Sequence, residues 1–421
     1  MGSIPLREAF GYILAAGAVW LGWEAVRTAL ADRGPPALSV RLAPGSPEVL
    51  RRAAEAELIA GRFENAEALS AESLARAPFN ARAMRVRGLS EAQVGNADRA
   101  DEMLTLAGNW SLRDDPAHAW LIENRLRRGD YRSAFAHADT LARRRVDLYP
   151  SLFRLFTTAS VQDKRALPVI AGLLAQRPPW RGAYLEHLHE ADNGAPVIGG
   201  LAIALQQTDG PFNSYELQRL YQVWIRSGRF EGVLELRRRL GRPPVGAPLQ
   251  NGDFSTAVDD QLLPFGWAIE SSPGLGAAVL QDDLRPDNAA LRLEYDGFGS
   301  GVFTRQLLLV GSGEFTLEGE WRAETPLPDL RIAWQLVCAE SGMVLGSAGS
   351  GLRGDSTDWK AFRRTFIIPR ENCRAQWLQL AAVPGDRRTT IAAWFDKLRI
   401  SPTAPTAGAA AERGSSEHPG T

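Results

Sequence analysis

Three glycines punctuate the first third of the chain at equal intervals: Gly61, Gly95 and Gly129 stand 34 residues apart. Ala66, Ala100 and Ala134 follow each glycine by five positions, and Phe63, Ala97 and Tyr131 by two. A period of this length belongs to solenoids of helical hairpins, in which one unit buries its apolar face only against its neighbours. Ala54 and Gly88 stand seven residues before the first two glycines, small residues where two helices approach closely; Ile122 breaks the pattern at the third. In 47–60 the apolar Leu50, Ala53, Ala54, Ala56 and Leu58 share one broad helical stripe. Segment 64–77 offers Ala66, Leu69, Ala71 and Leu74 against it. Each glycine is expected to end a first helix, in a left-handed conformation that closes the turn without a side-chain penalty. Gly61-Arg62-Phe63 recurs as Gly228-Arg229-Phe230, so the helical array is expected to cover 47–240.

Ala54, Gly61, Ala66 and Pro78 in the first unit, and Gly88, Gly95, Ala100 and Ala107 in the second, resemble the tetratricopeptide repeat family. Leu112 and Val146 stand where the second and third units would carry a terminal proline. The resemblance implies a scaffold whose groove holds a protein partner and which performs no chemistry.

The formal net charge of −1 carries no basic excess, which argues against a nucleic-acid partner. Lysine occurs only at 164, 360 and 397, so the cation is almost always arginine. The run from Phe10 to Trp23 is uncharged and apolar. Counted on to Ala31 it reaches the roughly 20 residues that span a bilayer, with Glu24 and Arg27 near the far interface. Residues 1–31 are therefore expected to form a signal anchor, a single-pass helix in a bacterial inner membrane with the bulk of the chain periplasmic. A cleaved signal peptide ending at Ala29-Leu30-Ala31 and a plain amphipathic helix are the alternatives. Residues 32–46 then read as a linker.

Beyond the Gly- and Pro-rich 241–248 the period switches from helical to alternating. Leu291, Leu293 and Tyr295 alternate with Arg292, Glu294 and Asp296; Ile332, Trp334, Leu336 and Cys338 share one parity. Short strands between turn-rich segments predict an antiparallel sandwich over 249–402, and 403–421 reads as a disordered tail. The fold class expected is thus multidomain: an all-α helical-hairpin solenoid, then an all-β sandwich. Asn251-Gly252-Asp253-Phe254, Pro264-Phe265-Gly266-Trp267 and the closing Trp394-Phe395-Asp396 resemble carbohydrate-binding jelly rolls. That resemblance implies an opening motif lying beside the closing strand. It also implies a structural calcium on Asp253 and Asp396, although Ser255 stands where a glutamate ligand would be.

Glycan binding would need exposed rings to stack on sugar faces and polar side chains to bond hydroxyls. By strand parity Trp321 and Trp334 fall with the core, and Trp267 reads as core beside Pro264 and Phe265. That leaves Trp359 and Trp377 as surface rings, with Arg331 and Gln335 beside them. Arg292, Glu294, Glu318 and Glu320 share the polar parity. Cys338 and Cys373 form an even count, read as one disulfide, with two buried thiols as the alternative. His187 and His189 lie two apart, which on a helix points them to different sides. No nucleophile elbow or phosphate loop is present, and no histidine lies between 190 and 417. No enzymatic activity and no cofactor are expected. Two functions remain: a membrane-anchored interaction scaffold in envelope or exopolysaccharide assembly, or a glycan-binding module carried on a helical stalk.

Overall fold

The computed structural model describes residues 6–324, 331–348, 357–385, 388 and 390–403. The expected tail falls, but for its first residue, outside the described residues. The chain divides into two compact units, Met1–Leu188 and His189–Thr421.

The first unit is helical. Helices α1 (Leu6–Arg33) and α2 (Pro36–Leu42) precede three hairpins: α3 (Pro47–Ile59) with α4 (Phe63–Arg76), α5 (Ala81–Gln93) with α6 (Ala97–Trp110), and α7 (Asp115–Arg127) with α8 (Tyr131–Ala142). Then follow α9 (Tyr149–Gln162), α10 (Ala166–Ala175) and α11 (Arg181–Glu190), whose last turn meets the unit boundary. Gly61, Gly95 and Gly129 take φ of +73°, +90° and +70° between the helices of each hairpin. At each, the amide of the next residue bonds back to the carbonyl five before itself: Arg62 to Glu57 (2.9 Å), Asn96 to Glu91 (2.9 Å) and Asp130 to Arg125 (2.9 Å). The first helices also start alike. The side chains of Ser46, Asn80 and Asp114, themselves 34 apart, accept from the amides of Val49, Ala83 and Ala117. Ala54, Ala66, Ala100 and Ala134 are fully buried. A Cβ on Gly88 would stand 2.6 Å from Leu104 Cγ, so α5 and α6 approach closely enough there to require glycine.

The expected membrane anchor is corrected. Among the described residues no helix is long and apolar enough to cross a membrane. The uncharged run in α1 is 14 residues, about 21 Å of helix against roughly 30 Å of hydrocarbon. The charges that would have to reach the far interface are engaged within the protein. Arg27 pairs with Glu24 at 2.7 Å and donates to the Leu42 carbonyl of α2 at 2.5 Å. The single-pass inner-membrane placement falls with the anchor, and the membrane as a partner with it.

Among its described residues the second unit holds α12 (Gly194–Leu205), α13 (Ser214–Arg226) and α14 (Phe230–Arg239), then ten strands. Gly228, at φ +70°, turns α13 into α14, and the Arg229 amide bonds Trp224 O at 2.8 Å, as in the three hairpins above. The strands are β1 (Ala268–Ile269), β2 (Leu275–Asp282), β3 (Arg285–Tyr295), β4 (Gly301–Leu308), β5 (Gly313–Ala323), β6 (Ile332–Cys338), β7 (Val344–Ala348), β8 (Lys360–Ile368), β9 (Gln376–Ala382) and β10 (Ile391–Pro402). They form two antiparallel sheets, one in the order β1-β4-β9-β6-β7 and the other β2-β3-β10-β5-β8. Between the sheets lie Trp267, Trp321, Trp334, Phe303, Phe366 and Phe395, all nearly inaccessible. Cys338 and Cys373 join in this core, with their Cα atoms 4.9 Å apart. The opening motif lies beside the closing strand, the Leu398 amide donating to Gly252 O at 2.8 Å.

Candidate functional site

Strand pairing sets one polar row across the outer face of the first sheet. Gln335 of β6 is paired with Gln379 of β9, which is paired with Arg305 of β4, which is paired with Ala268 of β1. Directly paired residues share a face, so these side chains stand together opposite the core. The Gln379 amide donates to Gln335 Oε1 at 3.1 Å. One row over, Val337, Trp377 and Leu307 are paired. The Arg305 guanidinium lies 4.9 Å from the centre of the Trp377 ring and pairs with Glu270 at 2.9 Å. The Trp377 ring is half-buried, and its indole N–H has no acceptor among the described residues.

Helix α13 faces this corner of the sheet across a cleft of about 290 Å³, lined by Gln218, Tyr221, Gln222, Glu270, Arg305 and Trp377 among others. A second cavity, about 330 Å³, shares Gln218, Tyr221, Asp260 and Leu263 with it and runs on to Arg237 and Arg242. The capping box at Asn213 and Glu216 starts α13 and satisfies its first backbone N–H groups. Gln218, Tyr221 and Gln222 fall on one side of α13, three and four residues apart. Arg237 of α14 ties the helices to the wall opposite. Its buried guanidinium donates to the carbonyls of Gln261 (3.0 Å), Leu263 and Pro243 (3.0 Å) and stands 5.5 Å over the Phe265 ring. Desolvation holds its pKa below the ordinary arginine value.

The structure does not bring the other expected glycan contacts here. Trp359 belongs to the outer face of the second sheet. There its indole N–H donates to Asp282 at 2.8 Å and its ring lies under Arg285, 4.6 Å from the centroid, with Arg322 at 6.0 Å. Arg322 also bonds Asp282 at 2.6 Å and stands 4.7 Å over Trp394, whose N–H donates to Glu324 at 2.6 Å. Burial pushes the Asp282 carboxyl up, but hydrogen bonds from Trp359, the Leu284 amide and Arg322 outweigh it and leave it below the usual carboxylate range. Arg331, just before β6, donates to Gly297 O at 3.2 Å. It stands six residues from the Val337 level of Trp377, about 20 Å along the strand. Of the four residues expected to meet a glycan, only Gln335 and Trp377 share a patch.

Asp253 and Asp396 do not fit a calcium. Asp253 Oδ1 accepts from Ser255 Oγ at 3.0 Å, while the fully buried Asp396 accepts from Asn288 at 2.8 Å and lies 3.5 Å from Arg285. Burial raises the Asp396 pKa despite those contacts. Among the described residues no group of three or more histidine, cysteine, aspartate or glutamate side chains is placed to hold an ion. The Asn288 and Arg285 partners that occupy Asp396 come from β3, a distant stretch of chain that the short motif does not reveal.

The helical face of the cleft was missed by sequence reasoning. Its signal was present as the Gln218-Tyr221-Gln222 spacing, but nothing in that spacing says which surface it meets.

No protein-family model matches the chain, and no curated protein matches it. Solved structures similar to it include one described as CBM4, at 16% identity and a TM-score of 0.27, over 37% of this chain and 99% of that one. A second is TmCBM61 in complex with β-1,4-galactotriose, at 15% identity and a TM-score of 0.27, over 38% of this chain and 99% of that one. A third is the CBM22-1 xylan-binding domain from Paenibacillus barcinonensis, at 9% identity and a TM-score of 0.25, over 33% of this chain and 87% of that one. Overlaps this slight say nothing about a ligand of this chain.

Proposed function

We propose that the protein binds a glycan on the outer face of its first sheet, at the cleft beneath α13. The observation that carries this is Trp377. It is a half-buried ring at the edge of a cleft with its N–H unused, whereas Trp359 and Trp394 on the opposite sheet spend theirs on carboxylates. An indole face matches the apolar face of a pyranose, and side-chain amides and carboxylates match its hydroxyls. Gln335 and Gln379 supply amides one row from the ring, and Glu270 lines the same cleft. The test is native affinity electrophoresis of the full chain in gels containing xylan, galactan or hydroxyethyl cellulose. Trp377→Ala should abolish retardation while leaving the melting temperature within a degree or two, because the ring is not in the core. Retardation unchanged by that substitution sinks the proposal.

The helical unit supports a second role, as a surface that holds a protein partner. The favouring observation is an exposed aromatic pair in contact: the Phe79 and Trp110 rings lie 5.0 Å apart, tilted at 47°, and are 79% and 46% exposed. Paired rings left in water at a repeat junction are the kind of patch that partners cover. Cross-linking of the full chain in cells should yield an adduct that the Phe79→Ser, Trp110→Ser double variant loses. An identical adduct pattern in both chains removes this role.

A further inference from the structure

The two adjoining cavities along α13 lie wholly within the second unit, and their linings have a common chemistry. On the helix side stand Gln218 and Gln222, both half-buried, neither with a hydrogen-bond partner among the described residues. Between them Tyr221 lines both cavities; it is 4% exposed, and its hydroxyl is buried without a partner. A buried hydroxyl left unbonded costs about 1–3 kcal/mol, so folding alone gives no reason to keep it there. Its desolvation also raises the Tyr221 pKa, leaving a neutral O–H.

Charge in the lining cancels. Arg237, Arg242 and Arg305 are three cations; Asp259, Asp260 and Glu270 are three carboxylates. Two of the cations are already engaged, Arg237 by three backbone carbonyls and Arg305 by Glu270. The lining thus carries no net charge, and beside Arg242, Asp259 and Asp260 it offers neutral groups: two free amides, one phenolic hydroxyl and one indole.

We infer that the site is composite and takes a neutral glycan chain, several sugars long, laid along α13 from Trp377 toward Arg242. This rests on the glycan-binding reading above and adds to it the ligand's charge class, its length and the helix as half of the site. One cavity would suit a single sugar ring at Trp377; two that share four residues make a continuous trough. Tyr221 and the two glutamines then meet hydroxyls of the units beyond the one stacked on the indole. Arg237 acts as a positioning residue, because its bonds to the Gln261 and Leu263 carbonyls hold the 261–263 segment that lines the trough against α14.

The full chain and its variants are run in gels of xylan, galactan, hydroxyethyl cellulose and, as the acidic counterpart, alginate. A neutral polymer should retard the wild type and alginate should not. Tyr221→Phe and Gln218→Ala should each weaken retardation about three- to tenfold, the worth of one or two hydrogen bonds. Tyr221→Phe should melt at or above the wild-type temperature, since it removes only an unbonded hydroxyl; this separates lost binding from lost folding. In the gel that retards the wild type, soluble tetrasaccharide of the same polymer should compete and the monosaccharide should not. If Trp377→Ala abolishes retardation but Tyr221→Phe and Gln218→Ala do not, the composite site is wrong and the glycan reading stands. Stronger retardation by alginate than by the neutral gels overturns the charge class. A wild type retarded by no gel, or retarded equally with Trp377→Ala, overturns both.

Discussion

The indole N–H of Trp359 donates to Asp282 Oδ2 at 2.8 Å, and that bond gives the ring a structural task that Trp377 does not have. Asp282 is 1% exposed and shared with Arg322, so removing the donor weakens a buried charged pair. Trp359→Phe should destabilise the protein by about 1.5–3 kcal/mol, the usual worth of a hydrogen bond to a charged group. Glycan retardation should stay as in the wild type. Thermal unfolding beside affinity electrophoresis separates the two rings, and a Trp359→Phe chain that melts normally but no longer binds would move the site to the second sheet.

The hairpin turns depend on positive φ. Gly95 sits at +90° with nothing within 4 Å of the place a Cβ would occupy, so the penalty for a side chain there is conformational and not steric. A β-branched residue in that region costs about 1–2 kcal/mol. Gly95→Val should therefore lower the melting temperature, and equal melting curves would remove the turn from the account of the helical unit.

Cys338 and Cys373 close a loop with a sequence separation of 35. Chain entropy gives a bond across such a loop about 3–4 kcal/mol of stabilisation. The Cys338→Ala, Cys373→Ala chain should unfold at correspondingly lower denaturant. Wild-type chain denatured without reductant should resist alkylation; full labelling of both thiols would show that the bond does not form.

Acidification should loosen the first unit. Nδ1 of His118 and Nδ1 of His137 are 3.0 Å apart between α7 and α8, and His118 is 1% exposed. Desolvation lowers both pKa values, that of His137 to about 4, with His118 and Arg125 pushing the same way and Asp101 and Asp130 opposing. For His118, Arg144 adds to the lowering, while Asp114 and Asp115 oppose it. A histidine whose folded pKa lies below its unfolded value of 6.5 binds its proton more readily when unfolded. Its contribution is thus complete above about pH 6.5 and is lost as pH falls toward 4. His137→Gln should flatten the decline of melting temperature between those limits; an unchanged pH profile would show that the pair does not carry it.

Local pattern was enough to read helices followed by strands, because apolar spacing at 3.6 and at 2 residues is written within each element. It was also enough to put Trp321 and Trp334 inside by parity and Trp267 inside by its apolar neighbours Pro264 and Phe265, and all three are at most 2% exposed. Parity assigns a face but not a sheet. Trp359 and Trp377 both fall on outward positions, and only the pairing of β8 with β5 and of β9 with β4 and β6 sends them to opposite sides of the sandwich. Those ladders join stretches far apart in sequence, so their choice depends on backbone bonds and packing that no local spacing encodes. The same holds for α13. Its sequence determines a helix with Gln218, Tyr221 and Gln222 on one side, while the meeting of that side with Trp377 depends on Arg237 gripping carbonyls some 25 residues further on. The carboxylates that the jelly-roll resemblance offered to a calcium show the same limit: a motif names a carboxylate, but Asn288 and Arg285 engage Asp396 through folding.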